Sequence, residues 1–253
     1  MRAAALVMLW LLLALGGRAD ELAAGLSKDD IKISSSFTGT DLVLFGAIES
    51  DAGAAIGVVQ DRDIVVVVRG PGTAVTVRRK ERMGPIWINR DQRRFVGVPG
   101  FYFVASTKPL SEIADAATLD RYHLGLAHLD FKLPIGAVMA PLDYRNAILR
   151  ARVHGELYNE QPNGVQFLSG SLFRTTIALP SNLPSGTYDV NVYLFRKHEI
   201  VTAFSTPLRI GKTGVERLLF KFANDLPWVY GLLAVLLAAL AGWVAALLFR
   251  QRQ

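Results

Sequence analysis

Residues 231–249 read GLLAVLLAALAGWVAALLF, a run of nineteen residues without a charge or a strongly polar side chain. The hydrocarbon core of a bilayer requires about 20 such residues in a helix, and a helix satisfies its own backbone hydrogen bonds in lipid. Pro227 suits the first turn, where the N–H that it lacks would have no partner. We therefore predict one transmembrane helix over residues 226–249. The alternative, a buried core helix, rarely remains apolar on every face for this length.

The N-terminus has the pattern of a secretory signal peptide. A basic start precedes thirteen apolar residues (3–15), and the following Gly17-Arg18-Ala19 places small residues where a signal peptidase reads them. We predict cleavage after Ala19, so that residues 1–19 are removed from the mature protein. The alternative, an uncleaved signal anchor, would leave two membrane spans instead of one.

The C-terminal end of the chain predicts the topology. Arg250 and Arg252 follow the apolar run, and basic residues beside a span favour the cytoplasmic side. Residues 250–253 are then a cytoplasmic tail, and the domain before the span lies outside. The Ala- and Arg-rich composition favours a bacterial inner-membrane protein with a periplasmic domain. The chain has no cysteine, which excludes thiol nucleophiles, disulfides and Cys-based zinc sites.

Two groups of segments have β-strand periodicity, separated by turns rich in Gly and Pro. About six segments fall within residues 20–109 and four within residues 161–212. Residues 110–160 carry helix formers instead, and their apolar spacing predicts a helix over 143–158. The sequence thus predicts a mainly β (α+β) fold: an immunoglobulin-like β-sandwich with a helical insertion, followed by the C-terminal transmembrane helix. The pattern leaves open whether the two strand groups form one core or two.

Two local patterns sharpen this interpretation. Residues 64–68 read IVVVV, a β-branched run typical of a strand buried on both faces. Tyr188 enters a late strand just after Pro184 and Gly186. In immunoglobulin-like sandwiches the hydroxyl of such a tyrosine satisfies a nearby backbone group, and we expect the same here.

Residues 213–225 have the spacing of an amphipathic helix next to the membrane. Four apolar side chains fall at i, i+3, i+4 and i+7, namely Val215, Leu218, Leu219 and Phe222. We expect this helix either to lie on the bilayer surface or to pack against the preceding domain.

Positive charge is concentrated between Arg62 and Arg94. This segment has nine basic and three acidic residues, so it alone holds the +6 net charge of the chain. Nucleic acid is an unsuitable partner outside the cytosol, which leaves a membrane surface or an anionic ligand. The alternative is a solvated basic face without a partner. Six arginines are candidates for an anion site: Arg78, Arg79, Arg82, Arg90, Arg93 and Arg94.

Small residues recur every four positions along the predicted transmembrane helix, at Ala234, Ala238, Gly242 and Ala246. Such a ridge lets two helices approach closely in lipid and pack by van der Waals contact. It predicts a helix interface with an integral-membrane partner or with a second copy of the chain. The alternative is an Ala-rich helix in contact with lipid alone.

Catalytic and metal-binding patterns are weak. Gly211-Lys212-Thr213 resembles the end of a phosphate-binding loop, but the Gly that the motif requires five residues earlier is Thr206. His123 and His128 are five residues apart and would lie on different faces of a helix. We therefore expect a non-enzymatic protein without a metal or cofactor.

Several short motifs resemble a family of transmembrane proteins found in alphaproteobacteria. They are residues 84–89 with Trp-Ile-Asn, 169–174 (SGSLFR), 183–188 (LPSGTY), 211–216 (GKTGVE), 230–232 (YGL), 241–243 (AGW) and 248–250 (LFR). The resemblance covers nearly the whole mature chain and implies a membrane protein of uncharacterised activity. Because some members are encoded beside permeases of the sulfite-exporter type, it also implies an accessory role in transport.

Overall fold

The computed structural model describes residues 21–34, 36–49, 62–134, 142–212 and 222–250. The predicted signal peptide (1–19), most of the predicted amphipathic helix and the last three residues of the tail lie outside these residues. The chain divides into two compact units. One contains the chain up to Ile31 and Thr38–Ile210, and the other contains Lys32–Phe37 and the chain from Gly211 onward.

A four-stranded antiparallel sheet has the order β1-β3-β10-β9. Its strands are β1 (Glu21–Leu26), β3 (Thr40–Glu49), β9 (Val165–Phe167) and β10 (Leu172–Leu179). The sequence patterns missed β1, which begins two residues after the predicted cleavage site and pairs with β3. Every second side chain of β3 and β10 is buried, so this sheet buries one face.

A six-stranded sheet has the order β2-β12-β11-β4-β7-β8. Its strands are β2 (Asp30–Ile33), β4 (Arg62–Arg69), β7 (Tyr102–Ser106), β8 (Tyr158–Gln161), β11 (Gly186–Arg196) and β12 (Glu199–Lys212). β7 and β8 run parallel, whereas β4 runs antiparallel to β7 and to β11. Both sheets therefore combine strands from before and after the helical segment, and Thr38–Ile210 falls in one compact unit.

Strand β4 is buried on both faces, as the sequence predicted. Its five residues from Ile64 to Val68 are completely inaccessible to solvent. Val66 and Val68 share a face with the buried Val192 and Val190 of β11. The strand ends at Arg69, whose guanidinium donates hydrogen bonds to the carbonyl oxygens of residues 122 and 123 at 2.7 and 2.9 Å. Residues 122 and 123 of the helical segment therefore lie beside the end of β4.

Residues 110–160 contain α1 (Leu110–Ile113), α2 (Ala116–Tyr122), a short 3₁₀ turn (Leu126–His128) and α3 (Leu142–His154). The predicted helix over 143–158 is too long, because α3 ends at His154 and Tyr158 begins β8. Glu156 has a positive φ of 58°, which a helix does not allow. Tyr158 is buried on β8, and its hydroxyl donates to the carbonyl of Pro99 at 2.8 Å.

Tyr188 makes the hydrogen bond that the sequence predicted. Its hydroxyl donates to the carbonyl oxygen of Pro184 at 2.6 Å, and its ring is completely buried against Phe101. The burial raises the pKa of the Tyr188 phenol above its ordinary value. The mainly β class with helical segments and one C-terminal apolar helix is confirmed. The immunoglobulin-like arrangement stays a prediction.

Candidate functional site

The C-terminal helix α4 (Pro227–Arg250) begins at Pro227, the position that the sequence indicated. In the part of the chain that the structure describes, α4 is the one helix long and apolar enough to cross a membrane. None of its apolar window, Pro227–Ala246, is buried against protein. The alternative of a buried core helix is therefore wrong. An exposed apolar helix of this length is suited to the hydrocarbon core of a bilayer.

A helical turn over residues 222–225 precedes α4. The amide of Leu226 donates to the carbonyl of Phe222 at 3.1 Å, and the amide of Tyr230 donates to that of Leu226 at 3.0 Å. The rings of Phe222 and Tyr230 pack edge to face, with centroids 6.4 Å apart. This turn is the described end of the predicted amphipathic helix, and it continues into α4 across one bend.

The small-residue ridge of α4 is exposed along its length, at Ala234, Ala238, Gly242 and Ala246. A Cβ added to Gly242 would meet no atom within 4 Å. Residues four apart lie about 40° apart around a helix, so the ridge follows a shallow spiral. It leaves the backbone open to a second helix, which is the geometry of close helix pairs in membranes.

A separate two-stranded hairpin is formed by β5 (Gly72–Met83) and β6 (Ile86–Pro99). Its turn contains Gly84, whose φ of 63° suits glycine. The register shifts between Arg79 and Lys80, where Arg90 is the additional residue on β6. Polar and charged residues obscure the continuous alternation of these two strands in the sequence.

One face of the hairpin packs on the domain. Its side chains are half-buried at Val75 and Val77 and fully buried at Phe95, which packs edge to face on Phe131 at 6.4 Å. The hydroxyl of Tyr144 in α3 donates to Asp91 at 2.8 Å. That hydrogen bond raises the pKa of the Tyr144 phenol, with desolvation as the second cause. The hairpin is therefore held to α3 and is not a free arm.

The opposite face is exposed and carries four cations. Arg78, Lys80 and Arg82 lie at every second position of β5 and therefore share one face. Arg78 lies opposite Gln92 of β6, and Arg82 lies opposite Trp87. Arg94, opposite Thr76, points to the same side because side chains two apart share a strand face. Among the described residues, none of the four forms an ion pair. We call Arg78, Lys80, Arg82 and Arg94 the basic face.

Three large apolar side chains surround the turn of the hairpin. Met83 is 57% exposed, Ile86 58% and Trp87 66%. Large apolar groups with this exposure usually indicate contact with a partner or a membrane when they are contiguous. We call Met83, Ile86 and Trp87 the apolar tip.

The structure divides the six arginines predicted to form an anion site. Arg78, Arg82 and Arg94 lie on the basic face. Arg79, Arg90 and Arg93 do not: Arg93 contacts Asp91 at 2.9 Å and Arg90 contacts Glu81 at 3.0 Å. Sequence reasoning missed Lys80 and Trp87. The signal for both was the period of two along β5 and β6, which selects 78, 80 and 82 as one face.

A cleft of about 660 Å³ lies elsewhere on the domain, at the ends of β3, β10 and α3. Its polar lining includes Thr40, Asp41, Glu156 and Asn159, without an Arg or Lys among the lining residues. The cleft is therefore acidic and does not suit an anionic ligand. Within the described ranges, no three His, Asp or Glu side chains are grouped to hold a metal ion.

Together these features define a mainly β protein whose described residues include one helix suited to cross a membrane. Residues 21–251 match the family described as "Putative transmembrane protein (Alph_Pro_TM)", and the chain belongs to this family. The match confirms the resemblance inferred from the short motifs. No curated protein and no solved structure matches the chain.

Proposed function

We propose that this protein is a non-enzymatic accessory module for an integral-membrane partner such as a permease. It is anchored in the bacterial inner membrane by α4, with the strand domain in the periplasm and the C-terminus in the cytoplasm. The observation that supports this proposal is α4 itself. None of its twenty-residue apolar window is buried, and its small-residue ridge is exposed.

The ridge favours a helix partner over lipid alone. Lipid tails are as apolar as Leu, so helices associate in membranes through close packing and not through the hydrophobic effect. A spiral of Ala and Gly allows that close approach, whereas Leu236 and Leu240 make other sides of α4 bulky. We expect the partner helix to pack along Ala234, Ala238, Gly242 and Ala246. A second copy of the chain is the alternative occupant of the ridge.

A pull-down tests this proposal. The full-length protein with a C-terminal tag is solubilised in mild detergent and isolated from its native host, and co-purifying membrane proteins are identified by mass spectrometry. A second, differently tagged copy reports self-association. The variant Gly242→Ile fills the ridge, and Ala241→Ile adds the same side chain about 100° around the helix as a matched control.

We expect Gly242→Ile to lose the co-purifying partner and Ala241→Ile to keep it. A partner helix would lose close contact over the whole crossing, so the effect is expected to be at least tenfold in recovered partner. Equal recovery with both variants would contradict the ridge as the interface. Recovery of the protein alone in every sample would contradict the accessory role.

The second sequence-based candidate, a periplasmic anion-binding module using residues 62–94, has less support. Binding sites for small ligands are usually concave. The basic face is one side of a two-stranded hairpin. Of the other candidate arginines, Arg79 and Arg93 lie on the opposite side, and Arg90 forms an ion pair with Glu81.

A further inference from the structure

We propose that the β5–β6 hairpin docks on an anionic phospholipid surface. The basic face binds lipid phosphates, and the apolar tip enters the headgroup region. This inference rests on the membrane anchorage in the proposed function, but not on the partner helix or on which side of the membrane the domain lies.

The charge distribution on the hairpin carries the first step. All four cations of the basic face are exposed, and the residues opposite or between them on that face are Thr76, Trp87, Asn89 and Gln92. The two nearby carboxylates, Glu81 and Asp91, point to the other side and contact Arg90 and Arg93. The exposed side is therefore a purely cationic strip, which complements the negative surface potential of anionic lipids.

The apolar tip carries the second step. Its three side chains are each more than half exposed and lie at the turn end of the hairpin. Trp87 lies on the side of the basic face, and the cross-strand pair Met83 and Ile86 lies on the other side. Trp87 forms a cross-strand pair with Arg82. Tryptophan beside cations is typical of groups at the membrane–water interface, where the ring lies among headgroups and the cation binds phosphate.

Shape distinguishes a bilayer from a small anion. The basic face is an extended strip along two strands, without walls that would enclose a ligand. The cleft at the ends of β3, β10 and α3 does enclose space, but it is lined by Asp41 and Glu156 and has no Arg or Lys among its lining residues. A broad anionic surface fits the strip better than a single phosphate does.

The last part of the argument is the covalent linkage between the hairpin and the membrane anchor. α4 and the hairpin belong to one chain, so the hairpin is tethered to the bilayer that α4 crosses. Tethering makes docking intramolecular, and a weak contact is then populated without a high intrinsic affinity. Support from α3 through Tyr144 and Asp91 presents the hairpin in a fixed conformation.

A fluorescence experiment tests the docking. The full-length chain has no cysteine, so Met83→Cys supplies a single thiol in the apolar tip. It is labelled with the environment-sensitive fluorophore NBD and reconstituted into phosphatidylcholine vesicles with or without phosphatidylglycerol. Ser181→Cys, in an exposed turn remote in sequence from the hairpin, is the control position for the label.

We expect blue-shifted, brighter emission from the label at position 83 with phosphatidylglycerol only, reversed by high salt, and no lipid dependence at position 181. Neutralising the basic face should lower the ratio of docked to free hairpin about fivefold for each cation. The quadruple variant is Arg78→Gln, Lys80→Gln, Arg82→Gln and Arg94→Gln. A control with the same charge change removes exposed cations elsewhere, at Lys28, Arg121, Arg150 and Arg174.

Two results would overturn the proposal. One is an emission spectrum that is the same with and without phosphatidylglycerol, or a spectral shift that is reduced equally by the basic-face variant and by its control. The other is a blue shift produced by free glycerol phosphate with phosphatidylcholine vesicles, which would indicate a small-anion site. Vesicle flotation distinguishes failure of the docking proposal from failure of the anchorage. Protein that floats without a spectral shift contradicts the docking but not the anchorage. Protein that does not float contradicts the anchorage.

Discussion

Tyr188 fixes the entry of the chain into β11. Its phenol is buried with no solvent access, and its hydroxyl reaches back four residues to Pro184. A buried hydroxyl without a partner costs more free energy than a hydrogen bond returns, so the buried Tyr188 hydroxyl requires the carbonyl of the half-buried Pro184 as acceptor.

We expect Tyr188→Phe to lower the free energy of unfolding by about 0.5–1.5 kcal/mol, because the hydrogen bond to the half-buried Pro184 carbonyl is lost. Tyr193→Phe is the matched control: it removes a hydroxyl from the same strand, at a half-buried side chain. Urea unfolding of both variants measures the difference. An equal small effect of both substitutions would show that the Pro184 contact contributes little.

Gly46 of β3 lies directly opposite Phe173 of β10, and the ring of Phe173 covers it. A Cβ at Gly46 would overlap that ring, with Cε1 only 2.6 Å away. We expect Gly46→Ala to destabilise the fold by about 1–3 kcal/mol through this overlap. Gly25→Ala, in β1, has no atom within 4 Å of the new Cβ and should be nearly neutral. Thermal unfolding of both variants decides whether packing or strand propensity is responsible.

At the scale of elements, the hairpin depends on α3. An isolated two-stranded hairpin is at best marginally stable in water, so packing on the domain keeps β5 and β6 ordered. Phe95 and the Tyr144–Asp91 hydrogen bond provide that support. The basic face does not contribute to this packing, so we attribute its composition to binding and not to folding.

Removing the Tyr144 hydroxyl should loosen the hairpin selectively. We expect Tyr144→Phe to speed hydrogen exchange of β5 and β6 amides by about fivefold, the equivalent of a hydrogen bond of about 1 kcal/mol. Amides in β3 and β10 should exchange at unchanged rates. Tyr122→Phe, on an exposed ring of α2, is the control. Faster exchange throughout the domain would instead indicate that Tyr144 supports the whole fold.

At the scale of the whole molecule, buried tyrosines predict alkaline sensitivity. Burial raises the pKa of Tyr102 from 10.0 to about 12, and it raises those of Tyr158 and Tyr188. The unfolded chain loses these protons near pH 10 while the folded chain retains them. Their stabilising contribution is therefore complete below pH 10 and falls as the pH rises through the folded pKa, by up to about 1.4 kcal/mol per pH unit for each tyrosine.

Phenolate absorbance at 295 nm checks this expectation. Of the seven tyrosines in the chain, we expect Tyr102, Tyr158 and Tyr188 to titrate last in folded protein, above pH 10, and with the others after unfolding in urea. Titration of all seven near pH 10 in a protein that keeps its circular dichroism would contradict the assignment.

The absence of cysteine allows a direct test of topology in intact cells. We expect a membrane-impermeant maleimide to label Ser181→Cys from the periplasmic side and Gln253→Cys only after the inner membrane is opened. Labelling of position 253 in intact spheroplasts, with position 181 protected, would reverse the proposed orientation.

Strong local patterns predicted part of this structure. The buried β4 run, the Tyr188 hydrogen bond and α4 each depend on short-range signals that tertiary contacts did not override. β1 was missed because Ala and Gly at positions 23–25 give no strand signal without the partner β3. The sequence could not assign the six candidate arginines to the two faces of the hairpin. That assignment requires the register of β5 and β6, which includes a bulge at Arg90.

The interleaving of early and late strands has a consequence for the order of folding. β3 pairs with β10 and β4 with β11, across more than one hundred intervening residues in each case. Synthesis proceeds from the N-terminus, so both early strands keep an open edge until the chain beyond residue 180 has emerged. Contacts of such high contact order form slowly. Neither sheet is complete until β10 and β11 have been made, and an unfinished chain would expose two sheet edges to aggregation.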